Sequence, residues 1–250
     1  MSNKKNWWLP ENLAEIESQS RQQDDFKNLE KYGDFGAYRR LLLGDKLEKT
    51  MLGKHNSLNP KAKLAYCHDL LNRNPEKVES VLDLGCGVGI TTNEMGILYK
   101  NAKVIGVDIS SDAIEYGIKH YLNIDFICQA VDPSNSKIGE FDIIYAFEFY
   151  PFTRTGDISI HANYLEYFMS QLKFGGSLVI HLMWEQDDSI FYNYSDLKKN
   201  FPDYIFRLTD APAEKILRIL KIKTLSLAVD RIACFLLNRK RKKVIIVTKK

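Results

Sequence analysis

Cysteine is scarce and scattered in this chain. Its four cysteines among 250 residues, Cys67, Cys86, Cys128 and Cys234, form no Cys-x-x-Cys pair and no Cys/His cluster at ligand spacing, which argues against a disulfide framework and a structural metal site. Long apolar runs are missing too. Met1 to Pro10 carries Lys4 and Lys5 but no apolar core of signal-peptide length before Glu11. The most apolar later stretch, Leu225 to Leu237, is broken by Asp230 and Arg231 and is too short to cross a bilayer. No internal repeat or low-complexity segment occurs. These absences lead to the expectation of a soluble cytoplasmic protein in a reducing compartment.

What is present is enough apolar material, 45% of the residues, for one good core and an appendage. The net charge of +3 conceals an uneven distribution. From Ala211 to Lys250 there are 12 Lys or Arg against Glu214 and Asp230, a local balance of +10, which leaves the first 210 residues at −7.

The chain is organised around Val81 to Gly89, Val-Leu-Asp-Leu-Gly-Cys-Gly-Val-Gly. An apolar strand candidate ends in glycines at alternate positions, Gly85, Gly87 and Gly89, and a helix-compatible segment from Ile90 to Leu98 follows. Such a turn lets a ligand approach the main chain closely, next to the free N–H groups of a helix start. Its spacing separates the ligands. A dinucleotide turn, Gly-x-Gly-x-x-Gly, would need glycine where Ile90 stands, and the Gly-Lys-Ser/Thr ending of a phosphate-binding loop is missing. Instead an acid, Asp83, precedes Gly85 by two residues. A carboxylate there would repel a pyrophosphate but suits an ammonium group.

This pattern resembles motif I of the class I S-adenosylmethionine-dependent methyltransferases, and the likeness extends over roughly Lys61 to Leu208 and returns in the last strand. The resemblance implies an α/β, Rossmann-like fold: a seven-stranded, mostly parallel sheet whose last strand is antiparallel. It also implies S-adenosylmethionine as cofactor. Asp108, 23 residues after Gly85 at the end of the strand Val104 to Asp108, matches motif II, an acid accepting hydrogen bonds from both ribose hydroxyls. Relatives often carry an acid for the adenine amine just after the third strand, here Phe126 to Ala130. If Ala130 takes that place, main chain at Ala130 and Val131 holds the adenine, with Asp132 as a substitute.

One main domain with an appendage is expected. Residues 1–60 form a helical N-terminal extension, with helices at Asn12 to Glu30 and Ala37 to Met51, anchored by Trp7 and Trp8 or else serving as a lid. Residues 61–250 form the main domain. Its helices are Lys61 to Asn72, Ile90 to Leu98 with Thr91 and Glu94 at capping-box spacing, Asp112 to Tyr121, and Ile158 to Leu172. Strand four is Phe141 to Ala146. Gly175-Gly176 ends a helix and starts strand five, Ser177 to Met183; strands six and seven are Tyr204 to Leu208 and Val244 to Thr248. Between them, residues 212–243 read as a basic helical insertion: an amphipathic pair packed on the domain, or a contact for an anionic membrane surface or polyanion.

The expected reaction is methyl transfer to a small-molecule or glycan-precursor acceptor. The Glu148 to Phe152 loop lacks the Asn/Asp-Pro-Pro-Tyr/Phe motif of enzymes that methylate base amines. An RNA methyltransferase steered by the basic tail and a cofactor-binding sensor or scaffold remain alternatives. For a hydroxyl acceptor a base is needed. Glu148, directly after strand four, and His161, on the next helix, are the candidates; Glu148 has the second reading of holding the methionine end of the cofactor. His181 reads as a satisfied core histidine in mid-strand.

Overall fold

A computed structural model describes residues 60–131, 133–134, 137–153, 155–182, 189–213, 216, 220, 222–237 and 241–250. The expected N-terminal extension, with Trp7 and Trp8, lies outside the described residues, as does Asp132.

In chain order the elements are α1 (Pro60–Leu71), β1 (Ser80–Leu84), α2 (Ile90–Leu98), β2 (Lys103–Asp108), α3 (Ser111–His120), β3 (Asp125–Cys128), β4 (Phe141–Phe147), α4 (Ile158–Ser170), β5 (Leu172–Leu182), α5 (Tyr194–Asn200), β6 (Tyr204–Ala211), α6 (Lys223–Leu236) and β7 (Lys242–Lys249). The seven strands make one sheet in the order β3-β2-β1-β4-β5-β7-β6. Its strands are parallel except β7, which runs antiparallel to both β5 and β6. This is the sheet that the resemblance implies.

Alternation along each strand divides the apolar residues between two layers. Leu82, Leu84, Ile144, Leu178 and Ile180 join Leu165 and Phe168 of α4 on one face. Val81, Ile143, Val179 and Ile246 join Leu64 and Cys67 of α1 and Met95 of α2 on the other. Because both faces are covered, the central strands read as nearly continuous apolar runs. At the N-terminal end of the sheet Asp142 accepts hydrogen bonds from Glu79 N (3.0 Å), Ser80 N (2.9 Å) and Ser80 Oγ (3.0 Å) and pairs with Lys173 Nζ at 3.1 Å. Those bonds hold its carboxyl below the ordinary range although partial burial pushes the other way, and they lock β1, β4 and β5 together at the edge opposite the glycine turn.

Three local expectations are corrected. Strand five begins at Leu172, so Gly175-Gly176 lies inside it. The register slips between Phe141 and Ile143, Gly175 has φ +72°, and a Cβ at Gly176 would lie 2.9 Å from Phe141 O: the pair makes a bulge, not a stop. The Thr91/Glu94 capping box does not form, since Gly89 is the N-cap of α2 and offers no side chain. Strand β3 stops at Cys128, which leaves Ala130 and Val131 in the loop beyond it.

Of the insertion before β7, helix α6 is described. Helix α6 buries Ser226 and Asp230 against the domain, while Leu225, Ile232, Phe235 and Leu236 face outward.

Candidate functional site

The site lies where β1, β2 and β4 end. The turn after β1 has three residues of positive φ, Gly85 (+68°), Gly87 (+55°) and Gly89 (+83°), a conformation that side chains resist. At Gly89 space imposes the same choice, because an added Cβ would come within 2.5 Å of the Phe126 ring. Backbone N–H groups of Gly85 and Cys86 donate to Val107 O at 2.8 and 3.0 Å, which straps the turn to β2.

Asp83 and Asp108 sit on neighbouring parallel strands. Asp83 pairs with Gly106 in register, so Asp108 lies two residues further along, roughly 8 Å away between Cα positions for ordinary strand rise and spacing. Asp108 is buried; its Oδ2 accepts from Gly87 N at 2.8 Å and its Oδ1 from Ser110 N at 2.9 Å. Each oxygen retains further acceptor capacity for a ligand. Burial pushes its carboxyl up, against the pull of those two bonds.

Asp83 is more starved of partners. It is buried, and its Oδ2 accepts a hydrogen bond from Thr92 Oγ1 at 2.7 Å. Burial raises its carboxyl to about 7, in spite of the Thr92 bond and the Lys63 ammonium, both of which favour the charged form. Beneath it Tyr145, its register neighbour on β4, starts a buried polar line through Tyr99 OH to His68 Nδ1.

Three contributors were not singled out in the sequence, and a fourth was misjudged. Lys63, half-buried on α1, holds its Nζ 4.7 Å from the centroid of the Phe147 ring, a cation–π approach, and its charge acts on both Asp83 and His181. Thr92 bonds Asp83, and Phe126 wedges the turn. The misjudged residue is His181. It is not a satisfied mid-strand histidine but the penultimate residue of β5, buried, with an Nδ1 that has no partner among the described residues; its ring packs edge-on to Phe147. Desolvation, with the Lys63 and Lys242 charges, holds its imidazole well below the ordinary range, so it is neutral.

The remaining predicted residues are distributed around this centre. Glu148, half-buried, follows β4 with φ +56° and donates its N–H to His181 O at 3.0 Å. A left-handed glutamate at a strand end stores strain on the order of 1 kcal/mol and re-aims the chain at the site edge. Phe149 follows it; its ring stands 3.5 Å from where a Cβ on Gly85 would be. Ala130 and Val131 leave β3 beside β2, with Gln129 N donating to Asp108 O at 3.0 Å. His161 is fully buried in the first turn of α4, with Nδ1 3.1 Å from Asn193 Nδ2 and its ring against Phe152. It lies in the α4 layer, whereas His181 and Lys63 lie on the α1 side.

Chemically, the site presents two buried carboxylates, a cation and the main chain of the glycine turn, exposed at Gly85, along the carboxyl edge of the sheet. It fits a ligand with an ammonium group at one end and vicinal hydroxyls further along. Among the described residues no group of three His, Cys, Asp or Glu is arranged to hold a metal ion.

Comparison with known proteins is consistent with this arrangement. The model of a methyltransferase domain family matches residues 75–224. Protein 235L of Invertebrate iridescent virus 6, named as a methyltransferase, is 33% identical over 103 residues, which make up 41% of this chain and 36% of that protein. The match therefore spans little more than a third of the viral relative. Among solved structures, the plantazolicin methyltransferase BpumL, in complex with a monoazolic desmethylPZN analog and SAH, aligns with a TM-score of 0.53 at 16% identity, covering 96% of this chain and 98% of that one. The O-methyltransferase from a trans-AT PKS multienzyme of Brevibacillus brevis, in complex with S-adenosyl-L-homocysteine, aligns with a TM-score of 0.52 at 15% identity over 84% of this chain and 78% of that one. At such identities the likeness is one of fold.

Proposed function

This chain belongs to the methyltransferase domain family, and we propose that it transfers the methyl group of S-adenosylmethionine to a small-molecule or glycan-precursor acceptor. The observation that carries the reading is the pair of buried acids at adjacent strand ends, Asp83 pushed up to about 7 by burial in spite of the Lys63 charge and Asp108 with acceptor capacity beyond its bonds to Gly87 N and Ser110 N. The residues fit the cofactor. Asp83 would take the ammonium group, Asp108 the ribose hydroxyls, Gly85 to Gly89 the close approach of the main chain, and main chain at Ala130 and Val131 the adenine edge. Lys63, the cation beside Asp83, would meet the carboxylate of the amino-acid end. When bound, S-adenosylmethionine supplies an electrophilic methyl group on a sulfonium that departs as a neutral thioether.

The chain's own residues then have two tasks. The first is to align donor and acceptor and keep water out, which Phe149 and the aromatic layer of Phe152, Tyr164 and Phe168 behind it support. The second arises for a hydroxyl acceptor, whose proton must pass to a base. Glu148, at the site edge, serves as that base or holds the ammonium end of the cofactor together with Asp83. His161 would need the acceptor to reach into the α4 layer. The test is incubation of the purified protein with methyl-labelled cofactor and fractionated cell extract. Label in the small-molecule or glycan fraction supports the reading; label in RNA, or in nothing while the cofactor still binds, overturns it in favour of an RNA methyltransferase or a sensor.

A further inference from the structure

Helix α6 is turned inside out relative to an ordinary surface helix. At 100° per residue Ile222, Leu225, Val229, Ile232, Phe235 and Leu236 fall within an arc of about 140° with no polar residue in it, and all six are exposed, Ile232 at 60%, Phe235 at 84% and Leu236 at 73%. The domain-facing side carries the polar groups. Ser226 and Asp230 are buried, Asp230 Oδ1 accepts from Ala213 N at 3.0 Å, and Arg231 pairs with Asp210 at 3.1 Å. The orientation of the helix is thus fixed by bonds to β6 and to Ala213 just beyond it, and the apolar stripe cannot roll inward without breaking them. A stripe of this width on a protein surface marks an interaction site.

We propose that α6 docks on an anionic lipid surface, laying its apolar arc between the headgroups. The charge around it selects this occupant. In sequence Lys221 precedes the helix, Lys223 opens it and Arg239 to Lys243 follow it, and residues 211–250 carry a balance of +10. Basic residues beside an exposed apolar helix face suit phosphate headgroups over acyl chains. A second copy of the chain would bring the same excess of positive charge to the contact, and an RNA would satisfy the charge while leaving the arc in water. Helix α6, at 14 residues, is too short to cross a membrane, so the contact it makes is peripheral. It also has a direction: β6 ends at Ala211 and β7 begins at Lys242, opposite each other and beside the carboxyl end of β5. The docked helix therefore belongs to the edge of the sheet that holds Asp83 and Asp108. The proposal does not depend on the reaction assigned to that edge.

The test is co-sedimentation of the full-length protein with vesicles of phosphatidylcholine, alone or mixed with phosphatidylglycerol. Partition into the anionic vesicles at low ionic strength is expected, with a steep loss on adding salt and weak partition into neutral ones. Replacing Leu225, Ile232 and Phe235 by Glu, all exposed and so tolerable to the fold, should reduce partition by roughly tenfold per substitution. Phe235→Trp should retain it and show blue-shifted emission with vesicles. Absence of partition at low salt, partition indifferent to the three Glu substitutions, or a dimer in gel filtration that those substitutions dissolve would each overturn the proposal. So would salt-sensitive RNA binding that survives them in a protein that ignores vesicles.

Discussion

Lowering the pH from 7 to 5 should strip the site of most of its affinity for an ammonium-bearing ligand, because the group that would pair with the ammonium is itself half-protonated at neutrality. Asp83 is buried, accepts a hydrogen bond from Thr92, and has its carboxyl pushed up to about 7 by burial. An ammonium beside it favours the ionised form, so its pKa in the complex lies lower than in the free protein. Binding is then linked to loss of a proton, and affinity is full above the free-state pKa and falls below it. For a free-state pKa near 7 and a much lower one in the complex, affinity should be about sixfold weaker at pH 6 than at pH 7 and about 50-fold weaker at pH 5. About half a proton should be released per ligand bound at pH 7.

The assay is titration calorimetry with S-adenosylhomocysteine, which keeps the ammonium and is not turned over. Runs in buffers of different ionisation enthalpy give the proton count directly. Asp83→Asn is the control: it keeps the shape and the Thr92 contact but cannot ionise, so it should bind weakly and with a nearly flat profile over this range. A wild-type profile that is flat from pH 5 to 7, or an Asp83→Asn profile as steep as the wild type's, would refute the reasoning, since either means that some other group carries the linkage.

Further outcomes follow from the same geometry. Asp108→Ala should weaken cofactor binding by about 1 to 3 kcal/mol in calorimetry and lower the melting temperature, because Gly87 N and Ser110 N lose their acceptor. Lys63→Ala should cost about 1 kcal/mol for a half-buried, partly screened charge in binding S-adenosylhomocysteine and nothing for its decarboxylated analogue; equal losses for both would remove Lys63 from the carboxylate. Asp142→Asn should destabilise the fold by about 1 to 2 kcal/mol at pH 7 in urea unfolding, after allowance for solvent screening. Its carboxyl is held low in the folded state, so that contribution is present above the ordinary carboxylate range and fades as pH falls through the lowered value, and the two proteins should converge in acid. Glu148→Gln or His161→Ala that loses turnover with cofactor affinity intact identifies the base; full activity in both means that alignment alone carries the reaction, as suits a nitrogen or thiolate acceptor.

The sheet was legible because its signal is redundant. Val81-Leu82 and Leu84, Val104 to Val107 and Ile143-Ile144 are apolar on both faces, a pattern that a half-exposed strand or a surface helix does not share, and the glycine turn fixes where β1 stops. Asp83 and Asp108 were legible for the same reason, each being the polar residue that interrupts or ends such a run. What failed were features set by packing between distant segments. Gly175-Gly176 carries the local signature of a stop, yet the bulge depends on Phe141 O, more than thirty residues earlier. Lys63 looks like any solvent-facing lysine until α1 is laid beside Phe147. Amphipathicity gives α6 two faces but not which one meets the domain, and there Asp210, Asp230 and Ala213 decide against the apolar side.

The electrostatics of the site also explain why its glycine turn serves one nucleotide-like ligand and not another. A helix start with free N–H groups attracts anions, and with that feature alone a pyrophosphate would be the natural guest. Asp83 reverses the preference. Ionised, it would face a diphosphate from a buried position, where like charges repel far more strongly than in water; protonated, it would offer the diphosphate no counter-charge. Lys63 does not rescue that ligand, since it sits on the Phe147 ring at the far side of Asp83 from Asp108 in this arrangement of strands, where it can take a carboxylate paired with an ammonium but cannot follow a phosphate chain into the turn. The alternating cation and anion demanded by Lys63 and Asp83 is the charge pattern of a zwitterion. An amino-acid end attached to a nucleoside meets it, and a dinucleotide does not.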